Sequence, residues 1–207
     1  MDKTKAAVAV FDKLAALYQQ KYIDVSAYSD SFRVFCENLP DGASIFELAC
    51  GPGNITRYLL DLRPDLKIYA TDLSPNMVAL AAQNNPEARF GVLDCREISN
   101  LNEAYDAVMC GFCLPYLSKE DAVALIADAA RLLRADGLLY ISTMEDDYQK
   151  SGFEAGSTGD KIFMHYHEAG YLTSAFKESG LAVIFEKRYH SFLGEKRITD
   201  LVLVGQK

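Results

Sequence analysis

Three carboxylates and a pair of glycines punctuate the first half of the chain. Glu47 sits inside the apolar run Phe46-Glu47-Leu48-Ala49-Cys50, and Gly51-Pro52-Gly53-Asn54 follows at once. A glycine turn between a strand and a helix lets a ligand approach backbone that side chains otherwise shield, close to a helix N-terminus. An ionised carboxylate just before that turn favours a cationic group on the ligand over a diphosphate. Two phosphate-binding patterns fail on residues. The dinucleotide fingerprint G-x-G-x-x-G needs a third glycine where the chain has Thr56, and a phosphate loop needs Gly-Lys-Ser/Thr where it has Asn54-Ile55-Thr56. Further on, Asp72 closes the run Tyr69-Ala70-Thr71-Asp72 and Asp94 closes Gly91-Val92-Leu93-Asp94. Cys110-Gly111-Phe112-Cys113 has redox spacing, but Cys110 falls in a predicted strand and the next helix cap is Ser118. Neither thiol therefore has the helix N-terminus that activates such a pair. His165, His167, His190 and Glu145-Asp146-Asp147 show no zinc-type spacing, and no metal is assigned.

The elements that must position these residues follow from periodicity. Val8, Phe11, Leu14, Ala15 and Tyr18 predict a helix over 4–20; Val25, Tyr28, Phe32, Phe35 and Leu39 predict another over 25–39, before Pro40. The runs SIFELA, KIYATD, RFGVLD, YDAVMCGF and LLYIST then recur with helical or irregular stretches between them, the βαβ rhythm of a mostly parallel sheet. Asn54 is expected to cap a helix that stops at Pro64. Ser74-Pro75 opens another helix, and Ser118 with Asp121 caps one that runs to Asp136-Gly137. Residues 144–167 hold three glycines and no clear period, which predicts a long loop or a small excursion. A helix to Gly180 and an antiparallel hairpin turning at Gly194 close the chain. The expected architecture is α/β, doubly wound and Rossmann-like: a mostly parallel seven-stranded sheet with an antiparallel C-terminal hairpin and helices on both faces. It forms one domain, with a helical cap over 1–40, a core over 41–143, a lid-like insert over 144–167, and a final helix and hairpin over 168–207.

Composition narrows the partners. With 207 residues, half of them hydrophobic, the chain can fill one core. A formal charge of −8 repels polyanions, so nucleic acid is excluded as a partner. No stretch approaches the roughly 20 apolar residues that span a bilayer, so no membrane partner is expected. MDKTKAAVAVFDK is broken by Asp12 and lacks a small-residue cleavage site, unlike a secretory signal. Five scattered cysteines point to reduced thiols and a cytoplasmic location. Oligomeric state is not read from the sequence.

Taken in order, these motifs resemble those of the class I S-adenosylmethionine-dependent methyltransferases. Glu47, Ala49, Gly51 and Gly53 match the acidic and alternate-glycine first motif, with alanine where the family usually has its first glycine. Asp72 ends the second strand, Asp94 the third, and YDAVMCGFCLPYL matches the fourth-strand motif. The resemblance implies S-adenosylmethionine as cofactor. Glu47 would face the ammonium of its methionine part, directly or through water, and Gly51 and Gly53 would line the backbone beside it. Asp72 would accept both ribose hydroxyls, and Asp94 the adenine amine, with Leu73 and Cys95 flanking the ring. Gly111 would leave backbone open to the cofactor's amino group.

The reaction implied is in-line methyl transfer to a small molecule, in which holding the acceptor near the methyl carbon supplies most of the catalysis. An acceptor hydroxyl needs a base, and Glu145, His165 and His167 are the candidates by location. Tyr18, Tyr22, Tyr28, Cys113, Tyr116 and Tyr166 are the candidate substrate contacts, on the first helices, the fourth-strand motif and the aromatic insert. The rim is expected to select an uncharged or cationic metabolite. A cofactor-binding protein without catalysis and a nicotinamide-dependent reductase are the competing readings.

Overall fold

The computed structural model describes residues 2–156, 158–194 and 196–207. Five strands run parallel: β1 (Ser44–Leu48), β2 (Lys67–Asp72), β3 (Arg89–Val92), β4 (Tyr105–Cys110) and β5 (Leu133–Met144). A small hairpin, β6 (Gly152–Ala155) and β7 (Lys161–Met164), stands apart from them. The long strands β8 (Ala182–Leu193) and β9 (Lys196–Gln206) complete the main sheet, β9 lying antiparallel to both β5 and β8. The seven-stranded order is β3-β2-β1-β4-β5-β9-β8. The chain winds outward from β1 to β3, then returns to the other side of β1 through β4, which opens a crevice at the carboxyl ends of β1 and β4.

The helices are α1 (Lys3–Lys13), α2 (Ala15–Tyr22), α3 (Ser29–Glu37), α4 (Asn54–Leu62), α5 (Pro75–Asn84), α6 (Lys119–Leu132) and α7 (Ala169–Glu178). The central strands are apolar on both sides because each face is covered. Phe46, Leu48, Val108 and Ile141 pack with Leu125, Ile126, Leu172 and Phe176 of α6 and α7. Ile45, Met109 and Tyr140 pack with Phe32, Phe35 and Leu59 of α3 and α4. Across three strands, the Phe46 ring stacks between Tyr69 at 5.6 Å and Tyr105 at 5.0 Å. Such pairs contribute about 0.5–1.5 kcal/mol each beyond burial and help fix the register of β1.

Four expectations about local structure are corrected. The helix expected over 4–20 breaks at Leu14 (φ −106°, ψ 16°), and the turn there sets the Phe11 and Tyr18 rings edge to face at 5.6 Å. The helix expected over 25–39 begins only at Ser29, because Tyr28 is held in a 3₁₀ turn while its hydroxyl bonds to Asp200 on β9. The helix opened by Ser118 ends at Leu132 rather than Asp136, since Leu133 is already extended and pairs with Tyr105 in the sheet. Asn54 is not a cap: Gly53 occupies the cap position at φ 80°, and the Asn54 amide donates instead to the Tyr22 carbonyl at 2.7 Å. The cap pairings Ser74 to Met77 N–H and Ser118 to Asp121 N–H do form, each at 3.1 Å.

Candidate functional site

β1 delivers Glu47 to the base of the crevice, 1% exposed. Thr56 on α4 donates its hydroxyl to Oε2 at 2.6 Å, while Oε1 has no partner. Burial pushes this carboxyl up to about 8, against the pull of the Thr56 hydrogen bond. The chain then passes through three left-handed residues in five: Ala49 (φ 51°), Gly51 (φ 55°) and Gly53 (φ 80°). The two glycines do different work. A Cβ on Gly53 would lie 2.4 Å from the Asn85 amide nitrogen and 3.2 Å from the Ala81 Cα, so that glycine seats the turn on α5. A Cβ on Gly51 would meet only the Tyr18 ring edge at 3.9 Å, so Gly51 leaves backbone open to the crevice.

Asp72, at the end of β2, accepts one backbone N–H on each oxygen, from Ser74 at 2.8 Å and from Gly51 at 2.9 Å. Burial raises its carboxyl above the usual range. Each oxygen keeps a lone pair available. Asp94 is differently placed. It caps the 3₁₀ turn Cys95–Asn100, and the Arg96 guanidinium closes on both its oxygens, at 3.0 Å and 2.6 Å. Burial raises Asp94, but the Arg96 hydrogen bonds outweigh it and hold the carboxyl below its ordinary value.

A cavity of about 700 Å³, counted to its open mouth, connects these groups. Seven of the nine residues expected to contact a cofactor line it: Ala49, Gly51, Asp72, Leu73, Asp94, Cys95 and Gly111. Glu47 and Gly53 lie behind its wall. Of the expected substrate contacts, Tyr18, Cys113 and Tyr116 line it and Tyr22, Tyr28 and Tyr166 do not. Tyr22 packs on Tyr18, Tyr28 on Phe112, and the Tyr166 hydroxyl sits between Glu154 and Lys196. Cys113 faces Cys95 with the sulfurs 3.4 Å apart, and all five thiols are free and buried.

The structure separates all three candidate bases from the cavity. His167 donates from Nε2 to the Leu114 carbonyl at 2.7 Å and accepts the Tyr171 hydroxyl on Nδ1. Burial takes it down to about 4, so it is neutral with both nitrogens engaged. His165 pairs through Nδ1 with Tyr148 at 3.2 Å, and burial lowers it as well. Glu145 is gripped by the Arg188 guanidinium, one contact being 2.8 Å. Among the described residues no group of three His, Cys, Asp or Glu side chains could hold a metal ion.

Sequence reasoning missed Thr4, Val8 and Phe11 of α1, which roof the cavity, together with Met77, Leu93, Phe112 and Leu117. The i, i+4, i+7 spacing of the α1 residues marks one helix face but does not say what that face covers. Phe112 carries a subtler signal, a positive φ (54°) in a residue without small or amide side chain, stabilised by the Ser142 hydroxyl accepting its N–H at 2.9 Å.

Residues 45–137 match a family model described as a methyltransferase domain. A malonyl-[acyl-carrier protein] O-methyltransferase of Hahella chejuensis is 33% identical over 152 residues, 70% of this chain and 51% of the relative. A trans-aconitate 2-methyltransferase of Variovorax paradoxus is 33% identical over 103 residues, 50% of this chain and 39% of the relative. The chain thus spans about half, or less, of the length of these curated relatives. Two solved structures share the fold. A methyltransferase of Methanosarcina mazei superposes with TM-score 0.73 at 14% identity, over 84% of this chain and 96% of the other. A 1,6-didemethyltoxoflavin-N1-methyltransferase of Burkholderia thailandensis does so with TM-score 0.72 at 19% identity, over 98% and 88%.

Proposed function

We propose, for a chain that belongs to the class I S-adenosylmethionine-dependent methyltransferases, that it moves a methyl group from S-adenosylmethionine to a small-molecule acceptor. The observation that carries this reading is a cavity at the switch point, where Gly51, Asp72, Asp94 and Gly111 converge from four strand ends. The residues fit the cofactor. Gly51 offers open backbone, Asp72 keeps a lone pair on each oxygen for a diol, and Glu47 carries a buried acceptor atom without a donor. Both charged side chains on the cavity wall, Asp72 and Asp94, are acidic, which suits a cationic ligand.

Asp72 would hold the ribose hydroxyls, and Asp94, oriented by Arg96, the adenine amine between Leu73 and Cys95. Glu47 would ionise against the ammonium. Gly53 seats the turn on α5, and Gly111, where a Cβ would lie 2.3 Å from Ile55 Cδ1, seats the end of β4 on α4 beside the cavity. When bound, S-adenosylmethionine supplies an activated methyl carbon and a neutral leaving group. The chain's part is then to bring an acceptor into line and exclude water. Phe11, Tyr18, Phe112 and Tyr116 form the aromatic wall that selects the acceptor by shape. The insert over 144–167 bears on that wall indirectly: its His165 N–H and His167 Nε2 hold the carbonyls of Pro115 and Leu114, in the turn that carries Tyr116. The five cysteines are free and buried, which suits a reducing, cytoplasmic site of action.

Calorimetry with S-adenosylhomocysteine tests the cofactor, and labelled S-adenosylmethionine incubated with a metabolite extract tests transfer. Binding of NADH in place of S-adenosylhomocysteine would overturn the reading, as would binding with no labelled product from any extract.

A further inference from the structure

Helix α1 carries an acid near each end. Both reach across the cavity to the loop behind a carboxylate of the proposed cofactor site. At its C-terminal end, Asp12 Oδ1 accepts the Ser74 hydroxyl at 2.6 Å and the Asn76 N–H at 3.0 Å. Oδ2 accepts the Asn76 side-chain amide at 3.1 Å, and that amide also reaches the Asp12 carbonyl at 3.1 Å. Ser74 is buried, caps α5 by accepting the Met77 N–H, and donates its own N–H to Asp72. Asp12 is therefore two hydrogen bonds from the Asp72 carboxylate. At the other end, Asp2 takes the second face of the Arg96 guanidinium that grips Asp94, at 3.0 Å. Between these ends Thr4 donates its hydroxyl to the Tyr116 carbonyl at 2.7 Å, and Thr4, Val8 and Phe11 form the cavity's roof.

This arrangement has a consequence for traffic. A ligand filling the space under Val8 and Phe11 touches the inner surface of α1, so lifting the helix widens the mouth through which the ligand enters and leaves. The contacts resisting that lifting are unequal. Toward the insert, Lys3 lies over the Phe163 ring and Lys13 pairs with Asp160 at 3.3 Å, and the Phe11 ring packs on Tyr116. Asp2 and Arg96 form a partly exposed pair of the kind that contributes little. Asp12 makes the larger set, with its charge set at the N-terminal end of α5, where the helix dipole favours an anion.

We infer that Asp12 is a positioning residue for the cofactor: it latches α1 over the cavity through Ser74 and Asn76, and so sets the rates at which the cofactor enters and leaves. The inference rests on reading the cavity as the S-adenosylmethionine site. Asp12 touches no ligand itself and acts through the roof and through Ser74.

Rapid filtration with radiolabelled S-adenosylhomocysteine measures both rates in the unaltered chain, in Asp12→Ala and in Asp12→Asn. Asp12→Ala removes three hydrogen bonds to the carboxylate, two of them exposed, and is expected to raise the association and dissociation rates together by about three- to tenfold, since water replaces much of what exposed partners lose. Asp12→Asn keeps an acceptor oxygen and is expected to fall between the two. Hydrogen exchange over residues 3–13 is expected to slow on adding S-adenosylhomocysteine to the unaltered chain and to slow less in Asp12→Ala. A purely structural role would lower the melting temperature and weaken binding without speeding association. Unchanged rates in both variants, or a slower association, would overturn the latch while leaving the proposed function intact. An unaltered chain that binds no S-adenosylhomocysteine would overturn the proposed function and the latch with it.

Discussion

The crevice at the strand ends and the insert over 144–167 are both rich in polar and aromatic groups, yet they hold them in opposite states. In the crevice, Asp72 accepts one backbone N–H per oxygen and Glu47 leaves one oxygen without a donor. In the insert, His167 uses both ring nitrogens, Tyr166 sits between Glu154 and Lys196, and Glu145 is clamped by Arg188. Unspent hydrogen-bonding capacity at a buried position is destabilising unless something later uses it. A saturated network stabilises local structure and has nothing left to offer a ligand. Residue type alone would favour the insert as the chemical centre, since it holds two of the three histidines. Bonding state points to the crevice.

The largest expected effect tests that contrast directly. Asp72→Ala should weaken S-adenosylhomocysteine by about 2–4 kcal/mol, the loss of two hydrogen bonds to a charged acceptor. Tyr166→Phe, in the saturated region, should leave that affinity unchanged. Calorimetry on the two folded variants checks both, and equal losses would erase the distinction between the regions.

The two regions should also respond to pH with opposite sign. Glu47 is raised to about 8 in the folded chain, so the folded state holds its proton where the unfolded state has released it. Its contribution is fully present below about 4.5 and is lost as pH rises toward 8, on the order of 4–5 kcal/mol in all. Glu47→Gln should flatten that fall in urea titrations. Binding a ligand ammonium should make Glu47 release its proton at neutral pH, which calorimetry in buffers of different ionisation enthalpy reads as proton uptake by the buffer. His167 is lowered to about 4. Its contribution is present above about 6.5 and is lost as pH falls toward 4, by about 3 kcal/mol. His167→Gln should remove that acid-side loss without changing S-adenosylhomocysteine affinity.

The smallest effect belongs to the outer surface of the insert. Phe153 is 68% exposed, with one face against Phe163. Phe153→Ser should change stability by no more than about 0.5 kcal/mol, as ordinary surface substitutions do. A loss several times larger in a thermal melt would show that the hairpin belongs to the core.

Much of the fold was legible because its signals are local. The strand runs, the Ser74 and Ser118 caps and the closing hairpin depend on residues within a few positions of one another. The errors lie where a distant partner decided. Leu133 left its helix to pair with Tyr105, and Tyr28 stayed out of α3 while its hydroxyl reached Asp200. In the site, Asp94 lies on the cavity wall, but its grip by Arg96 and the further link to Asp2 were not read from the sequence.

By itself the sequence determined the glycine turn after Glu47 and the carboxylates that end β2 and β3. A left-handed backbone, a helix start and a charge at a strand end are requirements met by the residue that sits there. Only the tertiary structure decided that Glu47 would be sealed with one oxygen unpartnered, that His165 and His167 would be bonded to Tyr148, Tyr171 and the turn at Leu114 and Pro115, and that α1 would lie across the cavity. Those outcomes depend on which distant groups arrive to fill a hydrogen bond or cover an apolar face. Asp12 meets Ser74 across 62 positions and Asp2 meets Arg96 across 94. Contacts of that kind leave no local pattern in the chain, because each is set by packing the whole sheet and its helices and not by the residues beside it.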